Sequence, residues 1–509
     1  MIILQALLML LRAFEPAAAA RADARIFAGK GSGERASFLL VLREQADVSG
    51  AARIENRIER RRFVYESLRA QAQVTQAPLL ERLAREGIRF RSHYLVNMIE
   101  VEADRGLAAE LAGRSDVSRL AANLPAPLAL PAPFETEIMA AAAALEALPV
   151  ASAEPNIERV RAPELWSRGF TGEGMVVGIA DTGFEWDHPA LKSHYRGWNG
   201  SGVSHDHNWH DAVHDAASGN SCGSDAPAPC DDDSHGTAIS GLAVGGDGDG
   251  NRIGVAPGAR FIGCRNMDHG NGTPARYTEC FEWLLAPTDS IGDDPRPDLA
   301  ADVINNSWSC PPIEGCTDPN VLETVVENVR AAGIAIVVAA GNGGNQCFRI
   351  SEAPSIYEAS LTIGATDLDD HIAGFSSLGP VTIDGSDRLK PDLVAPGVTV
   401  RSSTLGGGYI PNFSGTSAAA PHVSGAIALL WSAVPQLAGR VDDTEEILEL
   451  SAAPRTLAVN CGDYSGTTVP NPVFGWGRLD VEAAYERAVR PAPILPAPRA
   501  GTRVVPPRS

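Results

Sequence analysis

Four short stretches of this chain carry side chains able to do chemistry where a fold could aim them. Val176-Val177-Gly178-Ile179-Ala180-Asp181-Thr182-Gly183 reads as a buried strand that ends in an acid, followed by a glycine that lets the chain turn. Asp233-Ser234-His235-Gly236-Thr237 opens a helix of small residues. Ser414-Gly415-Thr416-Ser417-Ala418-Ala419-Ala420-Pro421-His422 sets Ser417 at the start of an alanine-rich helix that runs on to Leu430. A serine hydroxyl is a weak nucleophile at neutral pH. It needs a base to take its proton, and that base needs an acid to hold its tautomer and stabilise its cationic form. Asp181, His235 and Ser417 are the types required. The free N–H groups of a helix start also favour the negative charge that develops beside an attacked carbonyl. The fourth stretch, Ile334 to Ala340, is an apolar strand ending in Gly341-Asn342-Gly343, from which Asn342 can aim an amide donor. Removing one such donor costs about 2.7–4 kcal/mol of transition-state stabilisation.

Those residues lie where an alternating fold would place them. Apolar runs at 175–180, 260–264, 302–306, 334–340 and 361–365 are separated by helical stretches at 236–246, 274–286 and 319–332. The alternation predicts an α/β domain over 156–489, a doubly wound and mostly parallel sheet with helices on both faces. Active sites of such sheets lie outside the carboxyl ends of the strands. Before it, residues 36–43 read as a buried strand, 53–86 as one or two helices, 88–103 as paired strands, 105–113 as a helix and 117–121 as a last strand. That β-α-β-β-α-β order predicts a small α+β ferredoxin-like unit over 25–123. The Ala- and Pro-rich segment 124–155 reads as a linker, and 490–509, with six prolines, as a disordered tail.

Composition narrows the function classes. The 509 residues are 44% hydrophobic and 21% charged, which is globular, and no apolar run is long enough to span a membrane. A net charge of −21 argues against nucleic-acid binding. The charge is divided, +4 over residues 1–120 and −25 over 121–509, so the first part is expected to be attracted to the second. All eight cysteines lie at or after Cys222, which suits an oxidised, exported domain. Cys222 with Cys230, and Cys310 with Cys316, are close enough in sequence to staple loops. Residues 1–24, a short apolar core followed by small residues, resemble a secretory signal peptide, and the expected location is secreted or periplasmic. An aspartic-peptidase site needs two carboxylates sharing a proton, and no second Asp-Thr-Gly or Asp-Ser-Gly occurs. The absence of His-Glu-x-x-His leaves a zinc peptidase unsupported. The His- and Asp-rich stretch 185–235 reads as a solvated acidic insertion, not a metal site. Phe413, Trp308 and Trp209 are open between cleft lining and core.

Taken together, in this order, the four stretches resemble the subtilisin family of serine peptidases, over nearly the whole of 156–489. Supporting matches are Phe375-Ser376-Ser377-Leu378-Gly379-Pro380, Lys390-Pro391-Asp392-Leu393-Val394-Ala395-Pro396-Gly397 and Gly475-Trp476-Gly477-Arg478-Leu479-Asp480. Val303-Ile304-Asn305-Asn306-Ser307-Trp308, Tyr195-Arg196-Gly197-Trp198 and Asn208-Trp209-His210-Asp211-Ala212 are similar to the bacillopeptidase F-like branch. The resemblance implies a serine endopeptidase that cuts proteins or peptides and needs no cofactor for its chemistry. Ser417 would be the nucleophile, His235 the base, Asp181 its orienting acid, and Asn342 with the Ser417 N–H the oxyanion donors. The His235 role predicts loss of activity at acidic pH, with a midpoint near the ordinary value of ~6.5. Ser307-Trp308-Ser309 and Ala339-Ala340-Gly341 would bind substrate. The N-terminal unit would be a folding helper and intramolecular inhibitor, cut away within 124–156. No nucleic-acid partner and no integral membrane segment are implied. Three departures matter. Ala238 replaces a second, non-catalytic histidine. Ala190 stands where many members carry a calcium-ligating aspartate. Ser309 replaces a glycine on one wall of the first specificity pocket.

Overall fold

The computed structural model describes residues 21–31, 33–124, 153–248 and 250–490. The expected leader up to residue 20, nearly all of the expected linker and the tail from 491 lie outside the described residues.

The N-terminal unit runs β1 (Ala36–Leu42), α1 (Arg57–Arg85), β2 (Arg89–His93), β3 (Met98–Ala103), α2 (Arg105–Ala112) and β4 (Val117–Ala122). This is the β-α-β-β-α-β order expected, in an antiparallel sheet ordered β2-β3-β1-β4. The stretch 53–86 supplies one long helix, capped by Asn56, whose side chain accepts from the N–H groups of Ile58 and Glu59. β1 shows no polar face because both faces are covered. Phe38 and Leu40 pack with Leu79, Leu83 and Leu111 beneath the unit's own helices. Leu39 packs the other way, in one cluster with Val64, Leu68 and Leu95 and with side chains of the larger domain such as Phe281 and Val325.

The larger domain is built on β5 (Val176–Asp181), β6 (Trp209–Asp211), β7 (Arg260–Arg265), β8 (Val303–Asn306), β9 (Ala335–Ala339), β10 (Leu361–Thr366) and β11 (Leu393–Pro396). They form one seven-stranded sheet, order β11-β10-β9-β8-β5-β7-β6, with every pairing parallel. Strand alternation divides the core in two. Val177, Val303 and Val337 face α3 (His235–Val244) and α6 (Thr416–Ala433). Ile304, Ile336 and Val338 face α4 (Pro274–Leu285) and α5 (Glu323–Ala331). β5 is the first strand of the sheet yet lies inside it, with β7 on one side and β8 on the other. The order reverses there, so a crevice opens at the carboxyl ends of β5 and β8. Four disulfides, Cys222–Cys230, Cys264–Cys280, Cys310–Cys316 and Cys347–Cys461, use all eight cysteines. No helix among the described residues is long and apolar enough to cross a membrane.

The two units meet through charge as well as apolar packing. Asp302, just before β8, accepts from Arg57 at 2.6 Å, from Arg61 at 2.7 Å and from the N–H of Val176 at 2.9 Å. Arg61 is only 2% exposed. Removing one partner of such a buried pair costs about 3–5 kcal/mol, because the remaining charge is stranded. Asp302→Ala is therefore expected to loosen the N-terminal unit by that order. Amide exchange should accelerate in β1 and β3 while protection in β9 and β10 is retained, and unchanged protection throughout would refute the role given to this pair.

Candidate active site

Asp181 is the last residue of β5 and is fully buried. His235 is the first residue of α3. The two backbones meet only because neither carries a side chain at the point of approach. A Cβ on Gly236 would lie 2.0 Å from the carbonyl oxygen of Gly183, and one on Gly183, at φ +109°, would lie 1.8 Å from that of Cys230. This contact brings His235 Nδ1 to 2.7 Å from Asp181 Oδ1, which also accepts from the N–H of Thr182 at 2.8 Å. With Nδ1–H donated to the carboxylate, Nε2 is left for the cleft that His235 lines.

A buried carboxylate not singled out from the sequence, Asp231, braces this contact. Its Oδ1 accepts from Thr182 Oγ1 at 2.8 Å and from the N–H groups of Asp233 and Ser234 at 3.0 Å each. Its Oδ2 accepts from Thr237 N–H at 2.9 Å and from Thr237 Oγ1 at 2.6 Å. Thr182 Oγ1 in turn accepts from Gly236 N–H at 3.0 Å. One acid thus ties the turn after Asp181 to the first turn of the His235 helix, and it caps donors a helix start leaves free. The sequence signal was an acid four residues before His235, hidden in the run Asp231-Asp232-Asp233.

Ser417 lies in the first turn of α6, where its N–H has no acceptor within the helix. Asn342 Oδ1 accepts from Thr416 N–H at 2.9 Å and Thr416 Oγ1 at 3.0 Å, which turns its Nδ2 toward the serine. A methyl on Gly415 would sit 3.5 Å from the Ser417 nitrogen and 3.6 Å from Asn342 Nδ2, so both donors border one open space. Two bonds fasten Ser417 to the end of β8: its Oγ donates to the Ser307 carbonyl at 3.0 Å, and Ser307 Oγ donates to the Ser417 carbonyl at 2.9 Å. Attack would require the Ser417 hydroxyl to turn from that carbonyl to His235 across the cleft. The nearby His422 is not a second base. It is fully buried, it bonds Ala418 O at 2.9 Å and Asn156 Nδ2 at 2.8 Å, and burial pushes it down to about 4.

Asp181, His235 and Ser417 are thereby gathered with Asn342 around a cleft of about 490 Å³. Burial disfavours the His235 imidazolium, but the Asp181 carboxylate outweighs it and Asp233 and Asp231 add to the effect, so His235 is raised to about 9. The titration expected near 6.5 is corrected upward for that reason. Ser307, Trp308, Ser309, Ala339 and Gly341 also line the cleft, whereas Ala340 is buried behind it. Trp308 stacks on Tyr277 at 3.8 Å and gives its Nε1–H to Ala180 O at 3.0 Å. Phe413 sets its ring edge-on to His235 at 5.7 Å, and Trp209 is core. Glu314 is a further lining residue that sequence reasoning missed. It accepts from Tyr277 Oη at 2.8 Å, and burial raises it to about 7.

The stretch 185–235 is solvated only in part. His188, His194, Asp211 and Asp231 are buried, and Asp211 receives two bonds from the fully buried Arg265, at 2.9 and 2.8 Å. Asp211 is thus paired across the fold, which a local reading cannot see, while Asp206, Asp215 and Asp225 are exposed as expected. Asp232, Asp268 and His269 come close enough to share an ion, but the Asn220 amide already donates to both carboxylates. Ala190 is fully buried with its carbonyl taken by Gly246 N–H, so this position offers no carboxylate for the calcium seen in the resemblance.

Comparison with known proteins assigns the chain a family. The model of the subtilase family matches residues 172–477. Bacillopeptidase F of Bacillus subtilis (strain 168) is 35% identical over 463 residues, 88% of this chain. Subtilisin E of the same strain is 30% identical over 58% of the chain, and serine protease AprX, also of that strain, 31% over 55%. The chain spans 30% of the length of Bacillopeptidase F, 66% of subtilisin E and 61% of AprX. With the family model covering well over half of the sequence, and with the crevice at β5 and β8 built as described, this chain belongs to the subtilase family.

Proposed function

We propose that the chain is an exported serine endopeptidase, made as a self-processed zymogen, that hydrolyses protein substrates through an acyl-enzyme on Ser417. The observation that carries this reading is the Asp181–His235 bond of 2.7 Å facing a helix-start serine whose N–H shares an open space with Asn342 Nδ2. Neutral His235 takes the Ser417 proton as the oxygen attacks the carbonyl, and Asp181 stabilises the imidazolium formed. Ser417 N–H and Asn342 Nδ2 receive the oxyanion. The proton held at His235 Nε2 passes to the departing amine, and a water then repeats the sequence on the ester. The relatives, a bacillopeptidase, a subtilisin and a serine protease, support the same class. Four disulfides support export.

The inhibitor role of the N-terminal unit is supported by where it ends. Its turn at 94–95 is held by Glu282, which accepts from the N–H groups of Tyr94 and Leu95, the latter at 2.7 Å. The last residue described there, Leu124, donates its N–H to the carbonyl of the cleft residue Glu314 at 3.3 Å. The chain therefore leaves the N-terminal unit at the rim of the cleft.

Ser417→Ala is expected to abolish casein digestion, labelling by a fluorophosphonate, and separation of the N-terminal unit in a purified preparation. Maturation of that variant by itself would refute self-processing, and an unlabelled, inactive mature wild type would point to a binding scaffold instead. Since only the neutral imidazole is a base, kcat/KM should fall as pH drops through the His235 titration. Its midpoint should lie above the ordinary ~6.5, toward about 9. Asp181→Asn should lower kcat by about 10⁴-fold and shift the midpoint down, and a midpoint that stays put in this variant would show that Asp181 does not hold the charge of His235.

A further inference from the structure

The segment after β8 runs beside the nucleophile, fastened at Ser307 by its two bonds to Ser417. Side chains of an extended chain alternate, so Trp308, turned away onto Tyr277, leaves Ser309 on the side of Ser307. Two residues of extended chain span at most about 7 Å, so the Ser309 hydroxyl lies about one long side chain from the reacting serine. There it donates to Glu352 Oε2 at 2.5 Å. The register is fixed, because Cys310 N–H donates to Ala353 O at 2.7 Å, next to both residues, and Cys310 is closed onto Cys316. Opposite, Ala339 and Gly341 line the cleft with no atom beyond Cβ, so the space before Ser309 is open.

Glu352 is half-buried, and among the described residues no Lys or Arg is ion-paired with it. The guanidinium nearest in sequence, Arg349, donates to Gln346 at 2.8 Å instead. Glu314, also lining this end of the cleft, feels repulsion from Glu352 and attraction from Arg276, so the two acids stand close enough to share one electrostatic environment. An apolar ring placed in this pocket would strip water from the carboxylate without replacing it. A guanidinium or ammonium would form charge-assisted bonds with it.

Resting on the peptidase reading above, we propose that Glu352, with Ser309, makes the primary pocket select Arg or Lys as the residue before the scissile bond. The chain's own sequence follows from this selection in two ways. Residues 124–155 contain no Lys or Arg, so the maturation cut is made at a disfavoured residue and depends on the high effective concentration of an attached substrate. Helix α1 carries seven arginines, so the N-terminal unit, once freed and unfolded, is a good substrate.

The test is the ratio of kcat/KM for two fluorogenic peptides that differ only in Arg or Phe before the cut, measured with the matured full chain. Wild type is expected to favour Arg at least about tenfold, and Glu352→Gln to reduce the ratio by about 10- to 100-fold. Glu352→Lys should move preference toward a third peptide carrying Glu at that place. A wild-type ratio near one overturns the proposal, as does a Glu352→Gln enzyme that keeps its ratio, including one in which both rates fall together. If wild type labels with fluorophosphonate yet prefers Phe, only the pocket assignment fails. If it neither labels nor cuts any peptide, the peptidase reading fails with it.

Discussion

The site depends on one steric constraint, the approach of the β5 turn to the first turn of α3. Hydrogen bonds fix side chains only after the backbones carrying them are in place. Here the backbones are in place because Gly183 and Gly236 have no Cβ where their neighbours' carbonyl oxygens stand. Asp231 then converts proximity into rigidity, since its two oxygens take five donors from both sides of the contact. The strain of Ser234, held at φ +81°, is one cost of that geometry, and the bond from its N–H to Asp231 helps offset it. Asp181 and His235 consequently need little rotamer freedom to find one another. Side chains positioned by main chain lose less entropy in reaching one another than those on long, mobile stems.

The sheet supplies the remaining convergence. Because β5 lies inside the order β11-β10-β9-β8-β5-β7-β6, the carboxyl ends of β5, β8 and β9 are neighbours. Asp181, Ser307 and Asn342 are therefore delivered to one edge by three separate strands. Ser417 arrives from the opposite direction, on the N-terminus of a helix whose buried length packs against the same strands. Its positive end faces the crevice. The interior of this helix stays neutral, with His422 kept uncharged by burial, so the charge chemistry is confined to the cleft mouth.

Sequence made the ends of this design legible and hid its middle. Asp181, His235, Asn342 and Ser417 could be read because each sits where periodicity stops, at a strand end or helix start. The parallel sheet could be read because its strands are continuous apolar runs. Asp231, Glu314 and Glu352 could not. Their partners are up to about 50 residues away, and nothing local separates a buried acid from a solvated one. The same blindness made 185–235 look like a surface insertion, although Arg265 neutralises Asp211 from a different strand. Short β6, within that stretch, has three residues and so no period to detect.

The N-terminal unit shows how a failure of local pattern can itself be informative. β1 lacks the alternation of a half-exposed antiparallel strand, because the face turned from its own helices is covered by the larger domain. Leu39, Leu68 and Leu95 belong to the same apolar cluster as Phe281 and Val325 across the boundary. The division of charge follows the same boundary. At the boundary it is focused into direct contacts, Arg57 and Arg61 on Asp302, Arg91 on Glu279 and Arg119 on Asp318. Apart, the small unit would expose apolar side chains such as Leu39, Leu68 and Leu95 and would part Arg57 and Arg61 from Asp302. Folding of the unit and its seating on the larger domain are thus coupled energetically. A unit of this size has little core to spare, so whatever severs it from the larger domain also removes much of what keeps it folded.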